Sequence, residues 1–198
     1  MKRNPRRFIV LLALGICFLG GQIVPGQAAP AGLPVALHLA PAFTLPDLTG
    51  KSRTLAEFRG RRVTLFFFCG CDVCHRCAVT WADAQRSGSL PPSLSTVIAF
   101  SGDAATAHRF LTGTGLDASQ TILLTDPQDK IADIYNAPVC PRVFVLNAQG
   151  RVRYTNNELG TDPQTMPAAV LVSRIISAVR TAPGLVVKLK GLKHARAN

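Results

Sequence analysis

Four cysteines lie within nine residues of this chain, at Cys69, Cys71, Cys74 and Cys77, and a further one, Cys140, lies far along the sequence. A disulfide stabilises a small fold chiefly by closing a long loop, so cysteines this close together are poor structural crosslinks. Thiolates attack disulfides and bind soft metal ions. The cluster therefore indicates redox chemistry or metal binding.

The N-terminal segment indicates the compartment in which these thiols work. Residues 1–28 combine a basic start, an apolar stretch over residues 8–19 and small residues before Ala29, which is the pattern of a secretory signal peptide. With residues 20–24 included, the stretch approaches the ~20 residues of a membrane anchor. We expect an exported protein, periplasmic or extracellular, that contacts a membrane only if this segment stays uncleaved. Disulfides form and persist in such compartments.

The positive charge is concentrated at the two ends of the chain. The 198 residues carry 22 Lys and Arg against 11 Asp and Glu, a formal net charge of +11. Residues 1–28 and 188–198 each hold four basic residues and no acid, so the stretch between them is only +3. Nucleic-acid binding needs basic residues clustered on the folded body, so no nucleic-acid partner is expected. A hydrophobic content of 47% excludes a disordered chain.

Alternating strand and helix patterns surround the cysteines. The apolar run over residues 63–68 is typical of a strand buried on both faces, and residues 74–86 have helical composition. Further strands are predicted over 96–100 and 122–124, helices over 103–111, 127–135 and 163–180, and a hairpin from 142–146 and 152–155. This order predicts an α/β sandwich whose central mixed sheet is flanked by helices. The cysteine cluster then lies where a central strand turns into a helix.

The predicted organisation has one folded domain. It comprises a signal peptide or anchor at 1–28, a linker at 29–38, the domain at 39–182 and a basic tail at 183–198.

Several short segments carry a family resemblance through their order and spacing. They are Ala40–Asp47, Gly50-Lys51, Phe58-Arg59-Gly60, Phe66-Phe67-Phe68, the two overlapping CxxC motifs, Thr125-Asp126-Pro127, and Pro141 ahead of Val143–Leu146. Over residues 39–182 the chain resembles the thioredoxin-like superfamily. Within it, the chain is similar to the redoxin branch of alkyl hydroperoxide reductases and thiol-specific antioxidants, and closest in character to periplasmic thiol-disulfide oxidoreductases. The resemblance implies a thioredoxin-like fold, exchange with protein thiols and disulfides, and no cofactor.

Two CxxC motifs, Cys71–Cys74 and Cys74–Cys77, compete for the role of reactive pair. A thiolate is stabilised in the turn before a helix, by free backbone N–H groups and the helix dipole. Cys71 follows the predicted strand by three residues, and Ala78 matches the small residue that thioredoxins have four positions after their second cysteine. We expect Cys71 to be the nucleophile and Cys74 the resolving thiol. With a longer turn, Cys74 would attack and Cys77 would resolve.

Pro141 resembles the cis-proline that faces the CxxC in thioredoxin folds. Cys140 stands before it, where the family more often has Thr or Val. It is either a third redox thiol that meets Cys71 across the cleft or a small buried residue. Cys69 and Cys77 are further candidates for redox thiols, although a buried, inert position is favoured for both.

The leading hypothesis is thiol-disulfide exchange with protein partners, recycled by an unidentified electron donor or acceptor. A peroxidase of the peroxiredoxin type is the alternative. That family has Thr or Ser three residues before its reactive cysteine, whereas Phe68, Cys71 and Cys74 occupy those positions here.

A third hypothesis is a copper or zinc site, because thiolates select such ions. The proposed ligands are Cys71, Cys74 and Cys77, and Cys69, Cys140 and His75 offer further ones. The distant histidines that could add a ligand are His38 and His108.

Overall fold

The computed structural model describes residues 38–157, 162 and 164–181. The predicted signal peptide, nearly all of the predicted linker and the predicted basic tail lie outside these residues. Within the described part of the chain, no helix is both long and apolar enough to cross a membrane.

Strands and helices alternate along the described residues. In chain order they are β1 (Thr44–Pro46), β2 (Ser52–Thr54), a 3-10 turn (Leu55–Phe58), β3 (Arg62–Phe68), α1 (Asp72–Arg86), β4 (Leu94–Phe100), α2 (Ala104–Thr114), β5 (Thr121–Thr125), α3 (Lys130–Ile134), β6 (Arg142–Leu146), β7 (Val152–Thr155) and α4 (Ala168–Thr181).

The five strands β5-β4-β3-β6-β7 form one mixed sheet, in that spatial order. Strand β3 is at its centre, parallel to β4 and antiparallel to β6. A central strand covered on both faces needs apolar side chains in both directions, which accounts for the unbroken apolar run over 63–68, where every residue is buried. The prediction of a central mixed sheet flanked by helices is confirmed.

The side chains of β3 alternate between two separate cores. Phe66 and Phe68 face α1, α2 and α4, where Trp81 is 1% exposed and donates its Nε1 hydrogen to Thr96 Oγ1 at 3.2 Å. Phe67 faces the other side, packed against Tyr135 with ring centroids 5.0 Å apart. Both faces of the sheet are therefore covered by apolar cores. Reactive polar groups are expected at the ends of the strands.

All four predicted helices differ from the structure in at least one boundary, and α2, predicted over 103–111, covers Ala104–Thr114. Helix α1 begins at Asp72, two residues early, and α3 covers only Lys130–Ile134 because a turn precedes it and Asp129 has a positive φ of 55°. Helix α4 begins at Ala168, since Pro167 disfavours the helical conformation of the residue before it.

Candidate active site

The turn between β3 and α1 places two cysteines, Cys69 and Cys71, at the end of the sheet. Strand β3 ends at Phe68, and Cys71 is the N-cap residue of α1, with extended backbone angles of −68° and 167°. Gly70 between them has φ of +80°, and a Cβ there would lie 3.1 Å from the Phe100 ring. Only glycine adopts this turn without strain. The Cys-Gly-Cys sequence therefore lets the chain leave the sheet and enter the helix at once.

Four sulfur atoms converge at this turn. The Sγ atoms of Cys69, Cys71, Cys74 and Cys140 all lie within 4.8 Å of one another, and all four cysteines are free thiols. Cys71 Sγ is 3.6 Å from Cys74 Sγ and 3.7 Å from Cys140 Sγ. Cys74 is fully buried, Cys71 and Cys140 are half-buried, and Cys69 is exposed. The group, called the thiol cluster below, thus runs from the protein interior to its surface.

Cys140 reaches the cluster from the loop before β6, where the Cys140–Pro141 peptide bond is cis. Asn156, which is 2% exposed, holds this loop. Its Nδ2 donates to the Pro141 carbonyl at 2.8 Å, and its Oδ1 accepts the Val143 N–H at 2.9 Å. No sequence pattern points to Asn156, since a single polar residue after a strand is unremarkable. It positions the cysteine that lies farthest from the others in sequence.

The structure contradicts the expected burial of Cys69 and confirms the expected burial of Cys77. Cys69 is exposed and belongs to the thiol cluster, because β3 ends one residue before it and leaves its side chain outside the core. Cys77 does not join the cluster; it is 1% exposed within the core, and burial raises its pKa to about 12. Of the hypothesised metal ligands, Cys71 and Cys74 therefore lie in the cluster, and Cys77 does not.

Histidine takes no part in the cluster. Among the described residues, the cluster is the one group of three or more potential ligands, and it includes neither His38 nor His108. His108 is exposed on α2.

Hydrogen bonds within the cluster favour one thiolate. The pKa of Cys140 is lowered to about 5, chiefly by the hydrogen bond from Cys74, with smaller contributions from Cys69 and Cys71. Conversely, the hydrogen bond to Cys140 and burial hold the pKa of Cys74 far above its ordinary value. Burial, followed by the bond to Cys140, raises the pKa of Cys69 to about 12. Protonated Cys74 and Cys69 thus donate to a thiolate on Cys140.

A cavity of about 480 Å³ opens beside the cluster and is lined in part by Cys69 and Cys140. Three aspartates also line it. Asp126 is buried and accepts the backbone N–H groups at the start of α3, whereas Asp129 and Asp133 are exposed. The cavity therefore offers an acidic border next to two of the four sulfurs.

The hydroxyl group expected three residues before the reactive cysteine of a peroxidase is absent. Phe68, three residues before Cys71, is 2% exposed and offers no hydroxyl group. Arg142 is buried in β6, and its Nη1 donates to the Asn156 carbonyl at 3.0 Å. Arg142 therefore serves the same loop that Asn156 holds.

Comparison with known proteins relates this geometry to a family. The AhpC/TSA family model matches residues 37–155. The thiol-disulfide oxidoreductase ResA of Bacillus subtilis is 29% identical, covering 77% of this chain and 85% of its own length. The chloroplastic peroxiredoxin Q of Triticum aestivum is 28% identical, covering 68% of this chain and 62% of its own length.

Solved structures share the fold. A secreted Mycobacterium tuberculosis disulfide oxidoreductase, described as homologous to E. coli DsbE, superposes with a TM-score of 0.55 at 21% identity, over 68% of this chain and 95% of that one. This confirms the thioredoxin-like fold. Because the family model covers more than half of the sequence, the chain belongs to the AhpC/TSA family and is a redoxin-type oxidoreductase.

Proposed function

We propose that this protein is an extracytoplasmic thiol-disulfide oxidoreductase that exchanges disulfides with protein partners through Cys71 and Cys74. The observation that carries the proposal is the 3.6 Å approach of their sulfur atoms at the N-terminus of α1. Cys71 is half-exposed and Cys74 is buried behind it. A nucleophile must reach the partner's disulfide, whereas a resolving thiol needs only to reach the nucleophile.

The reaction consists of two exchanges. The Cys71 thiolate attacks one sulfur of the partner's disulfide, that S–S bond breaks, and a mixed disulfide forms while the departing sulfur takes up a proton. Cys74 then attacks the Cys71 sulfur, which releases the second partner thiol and leaves a Cys71–Cys74 disulfide. Two electrons pass to the partner. The proton of Cys74 passes to the partner sulfur that departs in this second exchange. The reverse sequence oxidises a dithiol.

The loop around Pro141 and the adjoining cavity supply a surface for the partner chain. The cavity borders Cys69 and Cys140, and its exposed acidic groups are Asp129 and Asp133. Opposite charges next to a binding surface favour encounter. We therefore expect partners with basic side chains near the reacting cysteine.

An exported location follows from the N-terminal pattern over residues 1–28. The related disulfide oxidoreductase from M. tuberculosis is itself described as secreted. Fractionation of cells that express the full chain tests the exported location. Recovery of the protein in the cytoplasm would contradict it.

Trapping the mixed disulfide tests the reaction. Because Cys140 lies 3.7 Å from Cys71 and could resolve the adduct, the trap is Cys74→Ser combined with Cys140→Ser. All chains also carry Cys17→Ser, which removes the thiol of the predicted signal peptide as a competing site of adduct formation. Incubation with a protein disulfide substrate should give a covalent adduct, detected by mass spectrometry. Cys71→Ser with Cys140→Ser should give none, and Cys77→Ala alone should turn over like the parent.

Two outcomes contradict the assignment. An adduct formed only through Cys74 would make Cys74 the nucleophile. A parent chain that reduces no disulfide and oxidises no dithiol would remove the proposed function itself.

The peroxiredoxin relatives favour one second candidate, a peroxidase. The absence of a hydroxyl at position 68 predicts that reduced protein loses thiols to hydrogen peroxide no faster than about tenfold above free cysteine. Stopped-flow measurement of thiol loss decides this. Rapid stoichiometric oxidation of a single thiol would favour the peroxidase.

A further inference from the structure

The thiol cluster has the dimensions of a metal coordination shell. Sulfurs bound to zinc at about 2.3 Å in tetrahedral geometry lie about 3.8 Å from one another. The two closest approaches to Cys71 are 3.6 and 3.7 Å, and no pair in the cluster exceeds 4.8 Å. Four thiol groups with this spacing surround a space suited to one ion.

We propose that Cys69, Cys71, Cys74 and Cys140 form a tetrathiolate site for a single tetrahedral ion, with Zn²⁺ as its fitting occupant. Among the thiols that the sequence offers as ligands, this site takes Cys69 and Cys140 together with Cys71 and Cys74, and it excludes Cys77. The two added ligands are what make the shell four-coordinate.

The ligands come from three elements that the fold holds independently. Cys69 and Cys71 belong to the turn whose shape Gly70 fixes, Cys74 to the first turn of α1, and Cys140 to the loop held by Asn156. A coordination shell with its ligands already converged costs less chain entropy when the ion binds. The exposed Cys69 gives the ion an entry path from solvent.

The start of α1 favours the negative charge of such a site, whereas Asp72 and the acidic border of the cavity oppose it. Four thiolates around Zn²⁺ carry a net charge of −2, and the cluster lies at the N-terminus of the 15-residue α1, where free N–H groups and the helix dipole stabilise negative charge. His75 and Arg76 are exposed nearby on the same helix. On binding, the protons of the protonated thiols are released to solvent.

The site shares two ligands with the proposed exchange pair, and this consequence rests on the proposed function. When Cys71 and Cys74 form a disulfide, two electrons pass to the partner's disulfide and two of the four ligands are lost. The oxidised protein therefore releases the ion. Conversely, the bound ion occupies both reactive sulfurs and blocks exchange.

The test is metal binding by the full chain carrying Cys17→Ser, reduced, stripped of metal and titrated with Zn²⁺ against a chromophoric chelator. We expect one ion per chain by native mass spectrometry, and a tetrahedral thiolate absorption spectrum with Co²⁺. Cys69→Ser and Cys140→Ser should each weaken Zn²⁺ binding at least ~100-fold, since even indirect contacts to a metal site cost 10–100-fold. Cys77→Ala should bind like the parent.

Three results overturn the site: no stoichiometric Zn²⁺, affinity unchanged by Cys69→Ser and Cys140→Ser, or iron bound together with inorganic sulfide. Circular dichroism of each variant shows whether it is folded. Cys69→Ser is the decisive variant, because Cys69 is exposed and its replacement should leave the fold intact. Retention of Zn²⁺ after Cys71–Cys74 oxidation overturns the redox coupling.

Exchange activity is measured on the same metal-stripped preparations before Zn²⁺ is added, because the bound ion would block exchange. A chain that exchanges disulfides but binds no Zn²⁺ overturns the metal site alone. A chain that binds Zn²⁺ and never exchanges disulfides overturns the proposed function and leaves the site standing.

Discussion

The two overlapping CxxC motifs have the same spacing and share Cys74, yet their environments differ. Cys71 caps α1 and is half-exposed beside the Pro141 loop. Cys77 lies about one helical turn beyond Cys74 and is 1% exposed in the core. Residues three apart lie on one face of a helix, so both motifs bring two cysteines together. The CxxC spacing therefore brings the two cysteines of a motif close together. Where the helix begins decides which of the two pairs is exposed to solvent and lies near Cys140.

The largest expected difference between the thiol cluster and the buried Cys77 is in the pKa values of their thiols. The pKa is lowered to about 5 at Cys140 and raised to about 12 at Cys77. Above pH 5 Cys140 is thus thiolate, whereas at pH 7 only about one Cys77 in 10⁵ is. Alkylation of the reduced chain, followed by peptide mass spectrometry, should label Cys140 at least ~10⁴-fold faster, with a half-maximal rate near pH 5. A half-point near pH 9 would contradict the thiolate on Cys140.

Mutation of the reactive cysteine should have the next largest effect. Cys71→Ser removes the nucleophile and should lower the rate of disulfide exchange at least ~10³-fold, because a hydroxyl does not replace a thiolate in this reaction. Cys77→Ala should stay within about threefold, since its thiol lies outside the cluster. Turnover of a fluorescent disulfide substrate compares them. Equal losses in both variants would remove the distinction between the motifs.

The loop that brings Cys140 to the first motif should be sensitive to Asn156. Asn156→Ala leaves the Val143 N–H and the Pro141 carbonyl without their buried partner, and should cost about 2–4 kcal/mol of unfolding free energy. It should also move the half-maximal pH for Cys140 alkylation upward. Asn156→Asp keeps the acceptor for Val143 and should lose less stability. A destabilised Asn156→Ala protein with an unchanged alkylation profile would show a purely structural role.

The smallest effect concerns packing. Cys77→Ala removes a buried sulfur and should lower the free energy of unfolding by about 1 kcal/mol. Cys69→Ala, at an exposed position, should stay within about 0.5 kcal/mol. Urea unfolding under reducing, chelating conditions measures both. A larger loss for Cys69→Ala would mean that the cluster stabilises the fold even without an ion.

The fold was largely predictable because its signals are local. The apolar run of β3, the capped start of α2 at Asp103 and the hairpin of β6 and β7 each reflect periodicity or turn chemistry within a few residues. Boundaries shifted where single residues intervened, as at Asp129 and Pro167. The roles of the cysteines were less predictable, since burial depends on where neighbouring elements end.

By itself the sequence determined that a thiol-rich turn joins a buried central strand to a helix in a thioredoxin-like redoxin. Only the tertiary structure decided that Cys69 and Cys140 join Cys71 and Cys74, that Cys77 does not, and that Asn156 holds the Pro141 loop. The physical reason is the distance along the sequence over which each feature is determined. Strand and helix patterns repeat over a few residues, whereas the cluster depends on a loop 69 residues from Cys71 packing against one helix terminus to within hydrogen-bond distance.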